Sequence, residues 1–186
     1  MYIRPAQPSD LAVPVLMLLA MEDIIYKFIG SRDQQQAIEF LTGFFQDTDN
    51  QYSYTNTFVA VDENDKIAGS VTAYDGDRLD ELRAPVLAAV TQHYKQQIDF
   101  EKETLGGELY LDTVAVAPDQ QGKGVGSALI RYIIDYAKEQ QFDKVGLLVD
   151  LSNPNAQRLY ERIGFQLGDK RPFIGGDYYH MFYPVK

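Results

Sequence analysis

A chain of 186 residues that is 45% apolar and 24% charged has the make-up of an ordinary globular protein, which excludes wholesale disorder and collagen-like repeats and suits one domain over residues 1–186. With no cysteine there is no disulfide scaffold, thiol nucleophile, thiolate metal site or iron–sulfur cluster. A net charge of −10, from 17 basic against 27 acidic residues, works against nucleic acid and anionic membrane as partners and favours a cationic small molecule or peptide. Residues 2–4 read as a short strand, and Ser9 or Asp10 can cap a helix running to about Phe28. A second helix follows Asp33, because Ala37, Phe40, Leu41, Phe44 and Phe45 recur at helical spacing. The period then changes. Tyr54–Val61 and Ile67–Tyr74 are rich in β-branched and aromatic residues, and the polar run 62–66 between them reads as a hairpin turn.

Leu79 to about Ile98 reads as a polar, acidic helix with Pro85 in its first half, ending before Gly106-Gly107. Leu109–Ala117 is a strand stopped by Pro118, and 124–140 carries Val125, Ala128, Leu129, Tyr132, Ile133, Tyr136 and Ala137 on one helical stripe. Lys144–Val149 is a short apolar strand, Pro154–Ile163 a helix, and Tyr178–Val185 the last strand. Helices crossing between strands in the second half indicate a mixed α/β domain. The longest apolar stretch, around Leu11–Ala20, is interrupted by Pro14 and is short of the ~20 residues that span a bilayer. The opening residues do not resemble a secretion signal, and with no cysteine the expected setting is cytoplasmic.

The most informative segment joins the strand ending at Val116 to the helix opening at Gly124. Gly122, Gly124 and Gly126 alternate through this turn, so successive backbone N–H groups can converge unobstructed by side chains. The helix N-terminus adds unpaired N–H groups and roughly half a positive charge, and Lys123 adds a full one. Phosphate or pyrophosphate suits such a cradle. A Walker loop is excluded, because Lys123 is followed by Gly124 rather than Ser or Thr. A dinucleotide fingerprint fits poorly, since Ser127 stands where its last glycine belongs and Asp143 precedes the next strand instead of ending it. A tight strand-to-helix turn with no ligand is the plain alternative.

Gln121-Gly122-Lys123-Gly124-Val125-Gly126 matches the Gln/Arg-x-x-Gly-x-Gly/Ala motif of the GCN5-related N-acetyltransferases (GNAT), and the flanking residues resemble that family too. Downstream, Asn153-Pro154-Asn155-Ala156-Gln157-Arg158-Leu159-Tyr160-Glu161-Arg162-Ile163-Gly164-Phe165 resembles its Asn-x-x-Ala-x-x-Leu-Tyr-Glu-x-x-Gly-Phe segment. Ile3-Arg4-Pro5-Ala6 and Asp10-Leu11 are a weaker third similarity. Good matching covers about 109–165, under a third of the chain.

The resemblance implies an α/β (α+β) fold, with a mixed sheet of about six or seven strands whose central pair splays apart, flanked by about four or five helices. It implies acetyl-coenzyme A as cosubstrate, held by the core at about 109–165, and an acceptor region at about 9–56 and 75–106. Backbone of Val114, Ala115 and Val116 would pair with the pantetheine arm. The turn Gln121, Gly122, Lys123, Gly124, Val125, Gly126 and Ser127 would take the pyrophosphate. Asn153 and Asn155 would meet the arm, although Asn153 before Pro154 also reads as an ordinary helix cap. Tyr160, on an otherwise core-facing stripe, would sit beside the sulfur and protonate the departing thiolate.

Direct attack by an amine in a ternary complex needs a base, since amines are protonated at neutral pH. Asp112 and Glu108 are the candidates; strict alternation puts them on one strand face with Tyr110, Val114 and Val116. A buried, hydrogen-bonded structural role is the plainer reading for Asp112. Of the two histidines, His93 reads as a surface residue, while His180 in the last strand can face a cleft. Neither has metal-ligand spacing, and no metal is expected. Asp77, Asp80, Glu81, Asp99, Glu101 and Glu103 can cap the acceptor site or simply form a solvated face. Tyr26, Phe28, Phe44, Phe45, Tyr52 and Tyr54 can line an acceptor pocket or fill core. The expected partner is an amine of a small molecule or peptide, and a homodimer through the terminal strands follows by analogy. The rival reading is a non-catalytic acyl-coenzyme A-binding or sensor domain on the same fold.

Overall fold

In the structure, a computed structural model that describes residues 1–98 and 101–186, the chain runs β1 (Tyr2–Pro5), α1 (Ala12–Ile29), α2 (Gln34–Gln46), β2 (Thr57–Val61), β3 (Ile67–Asp75), α3 (Leu79–Gln92), β4 (Glu108–Val116), α4 (Val125–Glu139), β5 (Lys144–Asp150), α5 (Pro154–Ile163), β6 (Gln166–Phe173) and β7 (Gly176–Pro184). Asp99, named above with the acidic residues, lies outside the described residues. The strands form one seven-stranded mixed sheet in the order β1-β2-β3-β4-β5-β7-β6, antiparallel except where β4 meets β5. Apolar residues of α1, α2 and α3 pack on one face, and those of α4 and α5 on the other. The strands between them are therefore covered on both sides. Val59 and Val61 of β2 face the first helix layer and Phe58 and Ala60 the second, which is why β2 is buried along its whole length and reads as a continuous apolar run. α4 buries Val125, Leu129, Ile130, Ile133, Ile134 and Ala137 along one stripe, as its spacing predicts.

Several local expectations change. Asp10 does not cap α1, because its carboxylate is taken by Arg4 at 2.8 and 2.9 Å and by the N–H of Gln7 at 2.7 Å. Asp33 does cap α2, accepting from the N–H of Gln36 at 3.0 Å. Tyr54–Asn56 form a single 3₁₀ turn before β2 rather than its first residues. α3 ends at Gln92, short of Ile98, since the polar residues beyond it supply no apolar stripe to bury.

The change with the largest consequence is in β4. Leu111 pairs with Ala73 and Thr113 with Thr72, so Asp112 is an extra residue, a bulge with no partner on β3. One inserted residue reverses the alternation. Leu109 and Leu111 before it, and Val114 and Val116 after it, all pack towards α4, while Tyr110 packs with Tyr74, Leu79 and Leu82 on the α3 side. The single face expected for Glu108, Tyr110, Asp112, Val114 and Val116 therefore does not exist. Among the described residues no helix is long and apolar enough to cross a membrane.

Candidate active site

β4 and β5 pair only through Glu108, Leu109 and Tyr110 with Lys144, Val145 and Gly146. Beyond that point β4 continues along β3 to Val116, and β5 continues along β7 to Asp150. The sheet therefore opens in its middle. Side chains hold the strands together at the paired end. The Glu108 carboxylate occupies the space a Cβ on Gly146 would need, accepts the Leu105 N–H at 2.6 Å and lies 3.0 and 3.2 Å from His180 Nε2. Glu108, Gly146 and His180 thus clasp β4, β5 and β7 together just below the opening. Both Glu108 and His180 are buried and neither lines the cleft. Of the two carboxylates read as candidate bases, only Asp112 reaches it.

The opening forms part of a cleft of about 620 Å³ bordered by α1, β4, β5 and the start of α5. Its β4 wall carries backbone groups without a strand partner. The Ala117 N–H is bonded to the Ala68 carbonyl of the preceding hairpin at 2.9 Å, and backbone direction alternates along a strand. Val116 and Val114 therefore present their N–H and C=O groups to the opening, where the exposed Gln121 side chain reaches the Val116 carbonyl at 3.5 Å, and Ala115 turns its own towards Ser70 of β3. An extended chain lying in the opening would satisfy the first two.

The glycine turn lies at the same end of the strand. Gly122 and Gly124 adopt φ of +75° and +83°, which L side chains rarely tolerate, and a Cβ on either would meet open space. Gly124 is the N-cap of α4, and no side chain caps the helix among the described residues. Its first N–H groups are left for an anion. Val125 turns its side chain into the core, so it can contribute only backbone; Gly126 and Ser127 follow in the first turn, with Val116 Cγ2 3.4 Å from a Cβ on Gly126. Gln121 and Lys123 are exposed, Lys123 bonding Gln120 at 3.2 Å. On the β5 side, Asn153 caps α5 by accepting the Ala156 N–H at 3.1 Å and also lines the cleft with Ala156 and Tyr160. Asn155 does not; it is exposed and bonded to Arg158 at 3.1 Å. The Tyr160 ring stands 5.7 Å from Phe165, and burial pushes its hydroxyl up to about 12, so it keeps its proton at neutral pH.

At the other end of the cleft is a polar cluster. Asp112 accepts from the Tyr74 hydroxyl at 2.7 Å and from Gln51 Nε2 at 3.3 Å. Gln51 Oε1 accepts from Arg83 Nε at 3.3 Å, and Arg83 also pairs with Glu103. Burial raises Asp112 above the usual carboxylate range, against the hydrogen bonds from Tyr74 and Gln51. Burial pushes Glu103 from 4.5 up to about 8, against the pull of Arg83. The sign of the linkage follows: the folded state holds the Glu103 proton more tightly than the unfolded chain. Its contribution to stability is full below about 4.5 and is lost as pH rises through about 8. The melting temperature of wild type minus that of Glu103→Gln should therefore fall as pH rises across this window; a constant difference would refute the assignment.

Of the acidic residues after β3, Glu103 alone among those described reaches the cleft, while Asp77, Asp80, Glu81 and Glu101 are exposed, as is His93. Of the six aromatics, Phe28 and Tyr52 line it. Arg83 and Gln51 were not singled out above. Arg83 had a signal, since it is the lone cation on the buried stripe Leu79, Leu82, Val86 and Val90 of α3. Gln51, in a loop, had none.

The sequence model of the acetyltransferase (GNAT) family matches residues 23–165. The mycothiol acetyltransferase of Stackebrandtia nassauensis is 28% identical over 141 residues, 76% of this chain but 44% of that protein. The chain thus spans under half the length of that relative. A spermine/spermidine N(1)-acetyltransferase of Bacillus subtilis is 28% identical over 78 residues, 41% of this chain and 51% of that one. Among solved structures, one described as an acetyltransferase superposes with a TM-score of 0.83 at 27% identity over 100% of both chains. An N-acetyltransferase from Staphylococcus aureus Mu50 gives 0.86 at 20% identity over 98% of this chain and 100% of that one. Splayed strands, glycine turn and family match coincide in one region, and the chain belongs to the acetyltransferase (GNAT) family.

Proposed function

We propose that the protein is an N-acetyltransferase that moves acetyl from acetyl-coenzyme A to an amine of a small molecule or peptide bound in the same cleft. One observation carries this reading: β4 backbone without a strand partner in the sheet opening runs directly into a glycine turn at a helix N-terminus with no side-chain cap. An extended arm ending in a diphosphate suits that pair of features. Val114 and Val116 would hold the arm as an added strand would be held. The amides from Gly122 to Ser127, with Lys123 beside them, would neutralise the diphosphate locally, which reconciles an anionic ligand with an acidic protein.

Acetyl-coenzyme A supplies the acetyl group activated as a thioester. Asp112, lining the acceptor end and raised by burial, takes the proton from the incoming ammonium, directly or through water, and so frees the nitrogen lone pair. Tyr160, which lines the same cleft, would face the departing sulfur. An ordinary thiol lies near 8.5, so complete transfer from a hydroxyl held at about 12 would be uphill by about 5 kcal/mol. Tyr160 would therefore act chiefly by donating a hydrogen bond to the developing thiolate, a narrower role than protonating it outright; as the C–N bond forms and the C–S bond breaks, the second nitrogen proton would pass, directly or through water, to the thiolate and leave it as the thiol.

Tyr160→Phe should leave acetyl-coenzyme A affinity within about twofold and lower kcat roughly 10–100-fold, the worth of one hydrogen bond to a charged group. Thiol release measured beside calorimetry reads both quantities. Unchanged turnover would remove Tyr160 from the chemistry. Tight binding of acetyl-coenzyme A by wild type with no thiol release across an amine panel would favour the sensor reading.

A further inference from the structure

The acceptor end of the cleft is roofed by the turn between β6 and β7. At its tip Ile174 has φ of +46°, a backbone conformation that β-branched residues avoid and that persists only where surroundings over-determine it. Three contacts do so here. The Ile174 N–H donates to Glu101 Oε2 at 3.0 Å, its carbonyl accepts Lys27 Nζ at 2.7 Å, and its side chain is buried with apolar residues of α1, α2 and α3. The strap so formed ties the hairpin to α1 on one side and to the segment leading into β4 on the other. Phe173, next to the latch, is buried with the Arg83 guanidinium 5.9 Å from its ring and Tyr178 edge-on at 5.9 Å. Both aromatic rings line the cleft beside Asp112 and Glu103.

The roof bears on what can reach Asp112. A peptide whose N-terminus lay there would have to extend onward, yet the strap covers that end, which leaves it only the strand opening or the side bordered by the exposed Leu19 of α1. The wall also selects by charge. The acidic side chain of Asp112 and the rings of Phe173 and Tyr178 make a surface suited to a cation. Arg83 is already engaged by Glu103 and Gln51, so a carboxylate on the acceptor would have to displace Glu103. We propose that the strap latched at Ile174 roofs the acceptor end so that it favours small alkylammonium ions that carry no carboxylate and disfavours peptide N-termini.

The proposal rests on the N-acetyltransferase reading and is tested by kcat/KM, from thiol release, for three acceptors. These are butylamine, norvaline (butylamine with an added carboxylate) and tetra-alanine. In wild type, butylamine should exceed each of the others by at least about 100-fold. Lys27 and Glu101 are exposed, so the double variant Lys27→Met/Glu101→Ala, which leaves neither a donor for the Ile174 carbonyl nor an acceptor for its N–H, removes both backbone tethers with little threat to folding. It should raise tetra-alanine relative to butylamine at least about tenfold. Ile174→Gly, which frees the backbone and deletes the buried side chain, should shift the ratio the same way. Peptide turnover comparable to butylamine in wild type, or a ratio unmoved in both variants, overturns the proposal. So does turnover of none of the three with acetyl-coenzyme A bound, whereas failure to bind acetyl-coenzyme A takes down the parent reading as well.

Discussion

Gly124→Glu is expected to abolish acetyl-coenzyme A binding, with at least a roughly 100-fold loss of affinity, about 2.7 kcal/mol or more. Two effects combine. The residue has φ of +83°, so any L side chain strains the turn by an amount on the order of 1–2 kcal/mol. A Cβ there meets open space, so the carboxylate is free to sit where the α4 amides would receive a diphosphate, and it both repels the anion and competes for the N–H groups. Gly124→Ala separates the two, carrying the strain without the charge, and should keep most of the affinity. Calorimetry gives the binding and a thermal melt confirms the fold. Affinity within about threefold of wild type in a folded Gly124→Glu protein would mean that the turn is not the cradle.

Asp112→Asn is expected to lower kcat by about 10²–10⁴ while leaving coenzyme affinity unchanged, the range for loss of a positioned general base. Asparagine keeps the size of the side chain and removes a charge that burial makes costly, so the melting temperature should hold or rise. The pH–rate profile gives the sharper reading. Asp112 works as the carboxylate and is raised by burial, so wild-type kcat should climb with pH through a limb lying above the ordinary carboxylate range, and the variant should lose that limb. A kcat within about threefold of wild type would place the base elsewhere in the cleft.

Much of this site was legible because its parts are local in sequence. Three alternating glycines between a strand and an amphipathic helix describe a cradle without reference to the rest of the chain, and Asn153-Pro154 announces its own helix start. Strand and helix positions in the second half follow from periodicity that each element carries within itself, as the buried stripe of α4 does. Two of the misreadings share an origin. Asp10 was free to cap α1 until Arg4 of the first strand took its carboxylate, and Glu108 was free to be a base until His180, 72 residues later, closed on it. A titratable side chain advertises chemistry, but the partner that spends it can come from anywhere.

Composition and short-range pattern sufficed for the α/β class and for the glycine turn after Pro118 between its strand and helix, since these depend on residues within a few positions of one another; the helices flanking the sheet and the place of Asp112 and Tyr160 near the turn came from the resemblance to the GNAT family. The fold as a whole settled which way those residues point and what stands opposite them. The bulge at Asp112 exists only in the register of β4 against β3, and the pairing of Arg83 with Glu103 and the tethering of Ile174 to Lys27 and Glu101 join segments that the chain itself holds far apart. Register and long-range pairing arise when separate elements compete to bury apolar surface and satisfy polar groups together, and no window of sequence contains that competition.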